Sequence, residues 1–317
     1  MNPEQARQLL QRIQESVELA LQGKPEVIRL ALTCLVAEGH LLLEDVPGVG
    51  KTTLARAIAR SLDATSGRIQ FTPDLLPSDI TGVSVYNQGT GQFDFHPGGI
   101  FANIVVADEI NRASPKTQAA LLEVMEERRV TVDATTRDVP RPFLVIATQN
   151  PVDMDGTYPL PEAQLDRFLL RADIGYPTLD AEVEILTAQA RGSVADSLQP
   201  VASVKDLRAL TVAALDVHVA PLLQRYLVEV VAATRSMPGV LLGASPRASL
   251  ALLRACRAWA LIHGRSYIVP EDVKVLAVPV LAHRLVLTPE AELQGRTQGQ
   301  LVEQLLRSVA VPQTPAA

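Results

Sequence analysis

Cysteine is nearly absent from this chain of 317 residues; only Cys34 and Cys256 occur. Both lie in apolar runs and read as buried free thiols in a reducing compartment, with no disulfide framework of the kind that staples small secreted domains. A basic excess is lacking as well. Lys and Arg number 29 against 35 Asp and Glu, a formal net charge of −6, whereas bulk binding of duplex DNA wants a basic surface. No apolar run approaches the roughly 20 residues that a membrane span requires. The stretch Met1–Glu15 is polar and shows no apolar signal region. No internal repeat is visible. These absences point to a cytoplasmic protein that is not integral to a membrane and for which nucleic acid is not an expected partner.

What is present suits a globular chain long enough for two domains, with 47% apolar residues to build cores. Leu9, Ile13, Val17 and Leu21 recur at helical spacing, so residues 3–38 read as two helices broken at Gly23-Lys24-Pro25. Apolar strand runs follow at 40–46, 68–71, 104–107, 143–148 and 168–174, with helical patterns between most of them. Strands alternating with helices imply a parallel sheet covered on both faces. The runs at 104–107 and 143–147 do not alternate, as central strands buried on both sides should not. Two segments break the rhythm: 83–95, with a turn signal at Gln88-Gly89-Thr90-Gly91, and 129–140. The first reads as an inserted β-hairpin, the second as a hairpin or long loop. Past about residue 177 the chain turns Leu-, Ala- and Val-rich and helical, with Pro221, Pro246 and Pro270 at helix starts. No strand pattern stands out there beyond a weak one at 267–269. The expected fold class is α/β: an αβα core, 1–189, with a parallel sheet sandwiched by helices and carrying β-hairpin insertions, followed by an all-α domain, 190–317. The tail from Pro312 is expected to fray.

Five constellations carry chemistry. Asp45-Val46-Pro47-Gly48-Val49-Gly50-Lys51-Thr52-Thr53 follows a strand and opens a helix, the setting a phosphate-binding loop requires. Glycines let successive N–H groups face phosphate oxygens, and the helix N-terminus adds partial positive charge. Lys51 suits the β- and γ-phosphates of ATP and Thr52 suits Mg²⁺. The usual pattern has Gly where this chain has Asp45. Next, Ile104–Ala107 ends in Asp108 and Glu109: the first to hold the metal, the second to polarise an attacking water. In isolation such a strand end is a common acidic surface feature; after a phosphate loop it gains weight. Third, the apolar run 143–147 leads to Asn150, placed to orient that water, although Asn-Pro alone reads as a turn. Fourth, Arg167 stands just before a strand, either as an arginine delivered to a neighbouring subunit's phosphate or as half of a surface pair with Asp166. Fifth, Arg247 falls in the first turn of a helix, a poor place for a cation unless an anion faces it.

Taken together these residues resemble the AAA+ ATPases and, within them, the MoxR family, over roughly residues 10–310. The specific stretches are Leu43–Thr52, Arg68–Gly82, Ile100–Asn103, Ala107–Ala113, Ala147–Pro151 and Glu162–Phe168. The resemblance implies a Walker A loop at Asp45–Thr53, in a family that tolerates a residue other than glycine at its start. It makes Asp108 and Glu109 Walker B, Asn150 sensor 1, Arg167 the arginine finger, Arg247 sensor 2 on a lid, and Gly23 part of the adenine contact. It assigns 83–95 to the helix-2 insert and 129–140 to the hairpin before sensor 1. Gly98-Gly99 departs from the Gly-Pro usual at that point. The family implies ATP hydrolysis with Mg²⁺, a homo-oligomeric and commonly hexameric ring, and chaperone-like action on client proteins, often ones with von Willebrand factor A domains. Three rivals share the motifs: a nucleic-acid motor, a nucleotide-gated scaffold with little turnover, and a magnesium-chelatase-like subunit. Against the first, 83–95 has no Lys or Arg, although Arg128, Arg129, Arg137 and Arg141 lie in or beside the second hairpin.

Overall fold

The structure is a computed structural model describing residues 1–45, 48–149, 157–183 and 194–312. Two compact units divide the chain. One comprises Arg12–Leu160 and Ala172–Arg208; the other comprises Met1–Gln11, Pro161–Arg171 and Ala209–Ala317. The border expected at 189/190 lies outside the described residues, as does the tail beyond residue 312.

The first unit holds β1 (Leu41–Glu44), β2 (Ser66–Gln70), β3 (Val83–Asn87), β4 (Gln92–His96), β5 (Ile104–Asp108), β6 (Arg129–Val132), β7 (Thr135–Asp138) and β8 (Leu144–Gln149). Four of these make a parallel sheet in the order β2-β5-β8-β1. A fifth strand, β9 (Leu170–Ala172), on which the border between the units falls, follows β1 in that order. Every residue of β5 is buried, and so are the first five of β8. That is why both read as unbroken apolar runs: neither face meets water. Because β1, β5 and β8 are parallel and adjacent, the segments after all three emerge at one edge. Open α/β sheets bind their ligands there, beyond the carboxyl ends of the strands.

Both interruptions are hairpins. β3 pairs antiparallel with β4, and β6 with β7. The tight turn between β6 and β7 puts Asp133 and Ala134 at φ 48° and 62°, the left-handed pair that a two-residue hairpin turn demands. The two hairpins touch: the Arg137 guanidinium lies 3.8 Å from the centre of the Phe95 ring.

In the second unit Pro221, Pro246 and Pro270 begin the helices Pro221–Ala233, Pro246–Ile262 and Pro270–Leu281. Proline suits the first helical position because its missing N–H would have no partner there. Cys256 is buried on the second of these helices, as Cys34 is buried in the first unit, and both are free thiols. The helical expectation missed one element. β10 (Val240–Leu242) and β11 (Val286–Leu287) form a small antiparallel ribbon, and Val240, Leu287, Ala291 and Leu301 share a hydrophobic cluster around it. Strands of three and two residues are too short to show a period-2 pattern. Tyr267, the weak strand candidate, makes an isolated bridge with His218. Among the described residues no helix is long and apolar enough to cross a membrane.

Candidate active site

The loop after β1 turns into the helix Lys51–Ser61 through two glycines in the left-handed region, Gly48 at φ 88° and Gly50 at φ 100°. It is the left-handed φ that calls for glycine at 50; a Cβ there would meet only the tip of the Leu21 side chain, Cδ1, at 2.8 Å. Val46 and Pro47 lie outside the described residues. Gly48, Gly50, Lys51, Thr52 and Thr53 line a cleft of about 320 Å³, and Asp108, Glu109, Arg68, Gln70 and Thr148 line it with them. Val49 belongs to the same loop and is partly buried. Lys51 Nζ donates to the main-chain oxygen of Asp45 at 2.6 Å. Burial pulls the Lys51 ammonium below its ordinary value, and the charges of Asp45, Asp108 and Glu109 oppose that pull.

Asp108 is buried at the end of β5. Its Oδ2 accepts from Thr52 Oγ1 at 3.4 Å and from Arg68 Nε at 2.8 Å; its Oδ1 accepts from Thr148 Oγ1 at 3.3 Å. Thr52 and Asp108 therefore offer two hard oxygen donors side by side, a set that fits Mg²⁺. Glu109 leaves the strand with φ 56°, and its N–H donates to Thr148 Oγ1 at 2.9 Å. Its carboxylate accepts from Gln70 Nε2 at 3.1 Å and from Arg112 at 2.9 Å. The left-handed turn separates the two acids: Asp108 faces Thr52 and Thr148 while Glu109 stands at the mouth, about one third exposed at its side chain.

Asp45 stands where phosphate loops usually have glycine, and it has its own task. Its Oδ2 accepts the N–H groups of Ile174 and Gly175 at 2.8 and 2.6 Å. One residue on, the carbonyl of Tyr176 accepts from Lys24 Nζ at 2.8 Å. Gly23 is also in the left-handed region, and a Cβ there would lie 3.6 Å from that of Ala181. The segments 23–24 and 174–181 thus form one wall, fastened to the start of the loop through Asp45.

The remaining candidates fall elsewhere. Asn150 lies outside the described residues. Arg167 and Arg247 belong to the second unit. Arg167 is half-buried just after the short helix Glu162–Leu165, and Arg247 is exposed in the first turn of Pro246–Ile262. Their neighbours meet: Ser245 Oγ donates to Asp166 Oδ2 at 3.3 Å. Sequence reasoning gave no role to Arg68, Gln70, Arg112 or Thr148. The first two had a readable signal. They alternate on β2, and Gln70 pairs in register with Asp108, which puts them on one face beside the acids.

Comparison with known proteins agrees with this geometry. Residues 40–170 match the profile of the ATPase family associated with various cellular activities (AAA), and 232–305 match that of the AAA lid domain. The chain is 43% identical over 316 residues to Chaperone MoxR1 of Mycobacterium tuberculosis, covering 97% of this chain and 83% of that one. The chain belongs to the MoxR family of AAA+ ATPases. Within reach of this family it is also 49% identical over 304 residues to the uncharacterised protein YeaC of Bacillus subtilis, across 96% of this chain and 95% of that one. The crystal structure of a candidate ATPase from Cytophaga hutchinsonii superposes with a TM-score of 0.92 at 38% identity, covering 98% of this chain and 97% of the other.

Proposed function

We propose that this MoxR-family protein hydrolyses ATP and uses the cycle to remodel client proteins. The observation that carries the hydrolytic part is the convergence of Lys51, Thr52, Asp108 and Glu109 on one cleft. Loop N–H groups and Lys51 hold the phosphates. Thr52 and Asp108 would hold Mg²⁺, which supplies neutralising charge between the β- and γ-phosphates when bound. Glu109, freed from Gln70 and Arg112, accepts a proton from the water that attacks the γ-phosphorus. The new P–O bond forms as the bond to the bridging oxygen breaks and ADP departs. Asn150 orients the water. Arg167, reaching the site of an adjacent subunit, stabilises the charge that develops on the transferring group, and Arg247 couples the lid to the nucleotide. An arginine shared in this way implies a homo-oligomer, a hexameric ring in this family, whose helical lid moves against the nucleotide-binding core at each turnover. A cytoplasmic location accords with the buried free thiols.

Clients are proteins rather than nucleic acid. Tyr86 and Phe93 on the first hairpin pack with their rings tilted, 5.3 Å between centroids, and Phe93 is 71% exposed, an apolar surface suited to polypeptide. Three of the four cations in or beside the second hairpin are engaged by protein: Arg128 with Glu38, Arg129 with Glu127 and Arg137 with Phe95. That weakens them as phosphate neutralisers. Maturation of a von Willebrand factor A domain partner, or delivery of its metal, is the client role we favour. Replacing Glu109 by Gln tests the chemistry: phosphate release should vanish while ATP binding persists, and equal rates for the two proteins would end the hydrolytic reading. The same variant held in ATP is the one to use for capturing the client.

A further inference from the structure

Among the described residues of the second unit a single arginine, Arg284, is buried, and its partners bracket Arg167. The Arg284 side chain is 3% exposed. Its Nε donates to Asp166 Oδ1 at 2.6 Å. One terminal nitrogen donates to the carbonyls of Asp166 at 3.2 Å and Phe168 at 2.6 Å. The other donates to the carbonyls of Leu169, at 3.4 Å, and Val280. It also lies 2.8 Å from His283 Nε2, the ring nitrogen that is itself 3.2 Å from the Phe168 carbonyl. Burial, reinforced by the charges of Arg284 and Arg171, pulls that imidazole well below its usual range, so it adds no positive charge beside the guanidinium. The guanidinium thus takes the main-chain oxygen on each side of Arg167 while the Asp166 carboxylate compensates its charge.

A buried ion pair contributes little net stability and is often replaceable by apolar residues of equal volume. Stability alone is therefore a weak reason to bury one here. Its geometry suggests another. The fork of five N–H groups is rigid and planar, so anchoring the carbonyls of residues 166, 168 and 169 fixes the main-chain path through residue 167. The second oxygen of Asp166 meanwhile accepts from Ser245, which precedes the helix that carries Arg247. One carboxylate thus joins the segment of Arg167 to the segment of Arg247.

We infer that Arg284 and Asp166 are positioning residues for ATP turnover, holding the Arg167 backbone at the height and direction from which its side chain reaches a neighbour's phosphate. This rests on the role given to Arg167 above. An ångström of misplacement is enough to cost on the order of 100-fold in rate, so the effect belongs in kcat and not in nucleotide affinity.

The experiment compares Arg167→Ala, Arg284→Lys and Asp166→Asn with the unmodified full-length protein. Lysine keeps the charge opposite Asp166 but cannot reach three carbonyls, and asparagine keeps the shape without the charge. Both should lower kcat at least about tenfold, toward the level of Arg167→Ala, with ATP dissociation constants within about twofold of the parent. A second readout separates positioning from simple damage. Subunits carrying Arg284→Lys, mixed with Lys51→Ala subunits that are themselves inactive, should regain hydrolysis as the Arg167→Ala mixture does. The first partner brings an intact phosphate loop and the second an intact arginine segment. Normal kcat in both Arg284→Lys and Asp166→Asn, with Arg167→Ala inactive, would overturn the inference and leave the role of Arg167 standing. So would mixtures that gain nothing while the Arg167→Ala mixture does. Full activity in Arg167→Ala would remove the role of Arg167 and the inference with it. If Arg284→Lys also loses helix content, the near-isosteric Asp166→Asn decides.

Discussion

Arg68 Nε lies 2.8 Å from Asp108 Oδ2, the same oxygen that Thr52 Oγ1 reaches at 3.4 Å. A guanidinium and a divalent cation compete for that oxygen, since each lowers the negative charge the other meets. Arg68 is more than half exposed at its side chain, so it can leave at little cost. Replacing it with alanine should lower the Mg²⁺ concentration needed for half-maximal ATPase activity several-fold while leaving the maximal rate within about threefold, as loss of a competing charge predicts. A Mg²⁺ titration at fixed ATP checks this. An increased Mg²⁺ requirement would instead make Arg68 part of the phosphate site.

Lys51 gives a pH dependence whose sign can be worked out. Its pKa in the folded protein lies below the ordinary 10.5, burial being the largest cause. In the window between the lowered value and 10.5 the unfolded chain binds more protons at this residue than the folded one does. The contribution of Lys51 to stability therefore rises with pH across that window. ATP should show the opposite trend, because phosphate needs the ammonium: affinity falls as pH climbs through the same window, and binding there takes up a proton. The phosphate's own last ionisation, near pH ~6, is complete by then. Calorimetry in buffers of different ionisation enthalpy reads the proton directly. Zero uptake from pH 8 upward would show that Lys51 does not change its environment on binding.

Asp45 should matter for the fold of the loop more than for its charge. Asparagine in its place keeps an acceptor but gives up the charged one. Glycine, the residue most phosphate loops have there, leaves the N–H groups of Ile174 and Gly175 without their acceptor. We expect Asp45→Gly to cost about 1–3 kcal/mol and Asp45→Asn less, both measured by urea denaturation. We also expect weaker ATP binding in both, because the wall at 174–181 loses its fastening. A glycine variant as stable as the parent would deny Asp45 that task.

The contact of Arg137 with Phe95 should couple the hairpins. Arg137→Ala removes an interaction worth about 0.5–1 kcal/mol at such a site. Global stability should barely change, while amide exchange should quicken in both 83–96 and 129–138. Faster exchange in 129–138 alone would mean the hairpins move independently.

The sequence made the edge of the sheet legible because each element there has a strong local signature. Two runs buried on both faces, a pair of glycines whose φ other residues avoid, and acids at a strand end all follow from short-range rules. The first hairpin is legible through a Gly-rich turn and alternation; the second, whose turn is Asp133-Ala134, reads from sequence as either a hairpin or a long loop. What could not be read depends on partners distant in the chain. Arg284 is one ordinary arginine near a helix end until its 118-residue reach to Asp166 is known. Asp45 looks like a flaw in a motif because the N–H groups its carboxylate accepts from belong to residues 174 and 175, far along the chain. The ribbon of β10 and β11 was invisible because its strands are shorter than one period of any test. Arg68 and Gln70 sat inside a recognised stretch, but only the register with β5 gives them a task.

Glu109 occupies the left-handed region at φ 56°, where a residue with a side chain sits at a disadvantage of about 1 kcal/mol relative to glycine. Natural drift and laboratory selection would therefore pull this position in different directions. On the role proposed for Glu109, a library ranked by melting temperature alone would favour glycine or asparagine at 109 and return proteins sturdier than their parent and unable to hydrolyse ATP. On that same role a glutamate kept in so unfavourable a conformation leaves a mark that needs no assay: in any related chain with the same turn, the identity of this one residue should tell a working ATPase from a retired one.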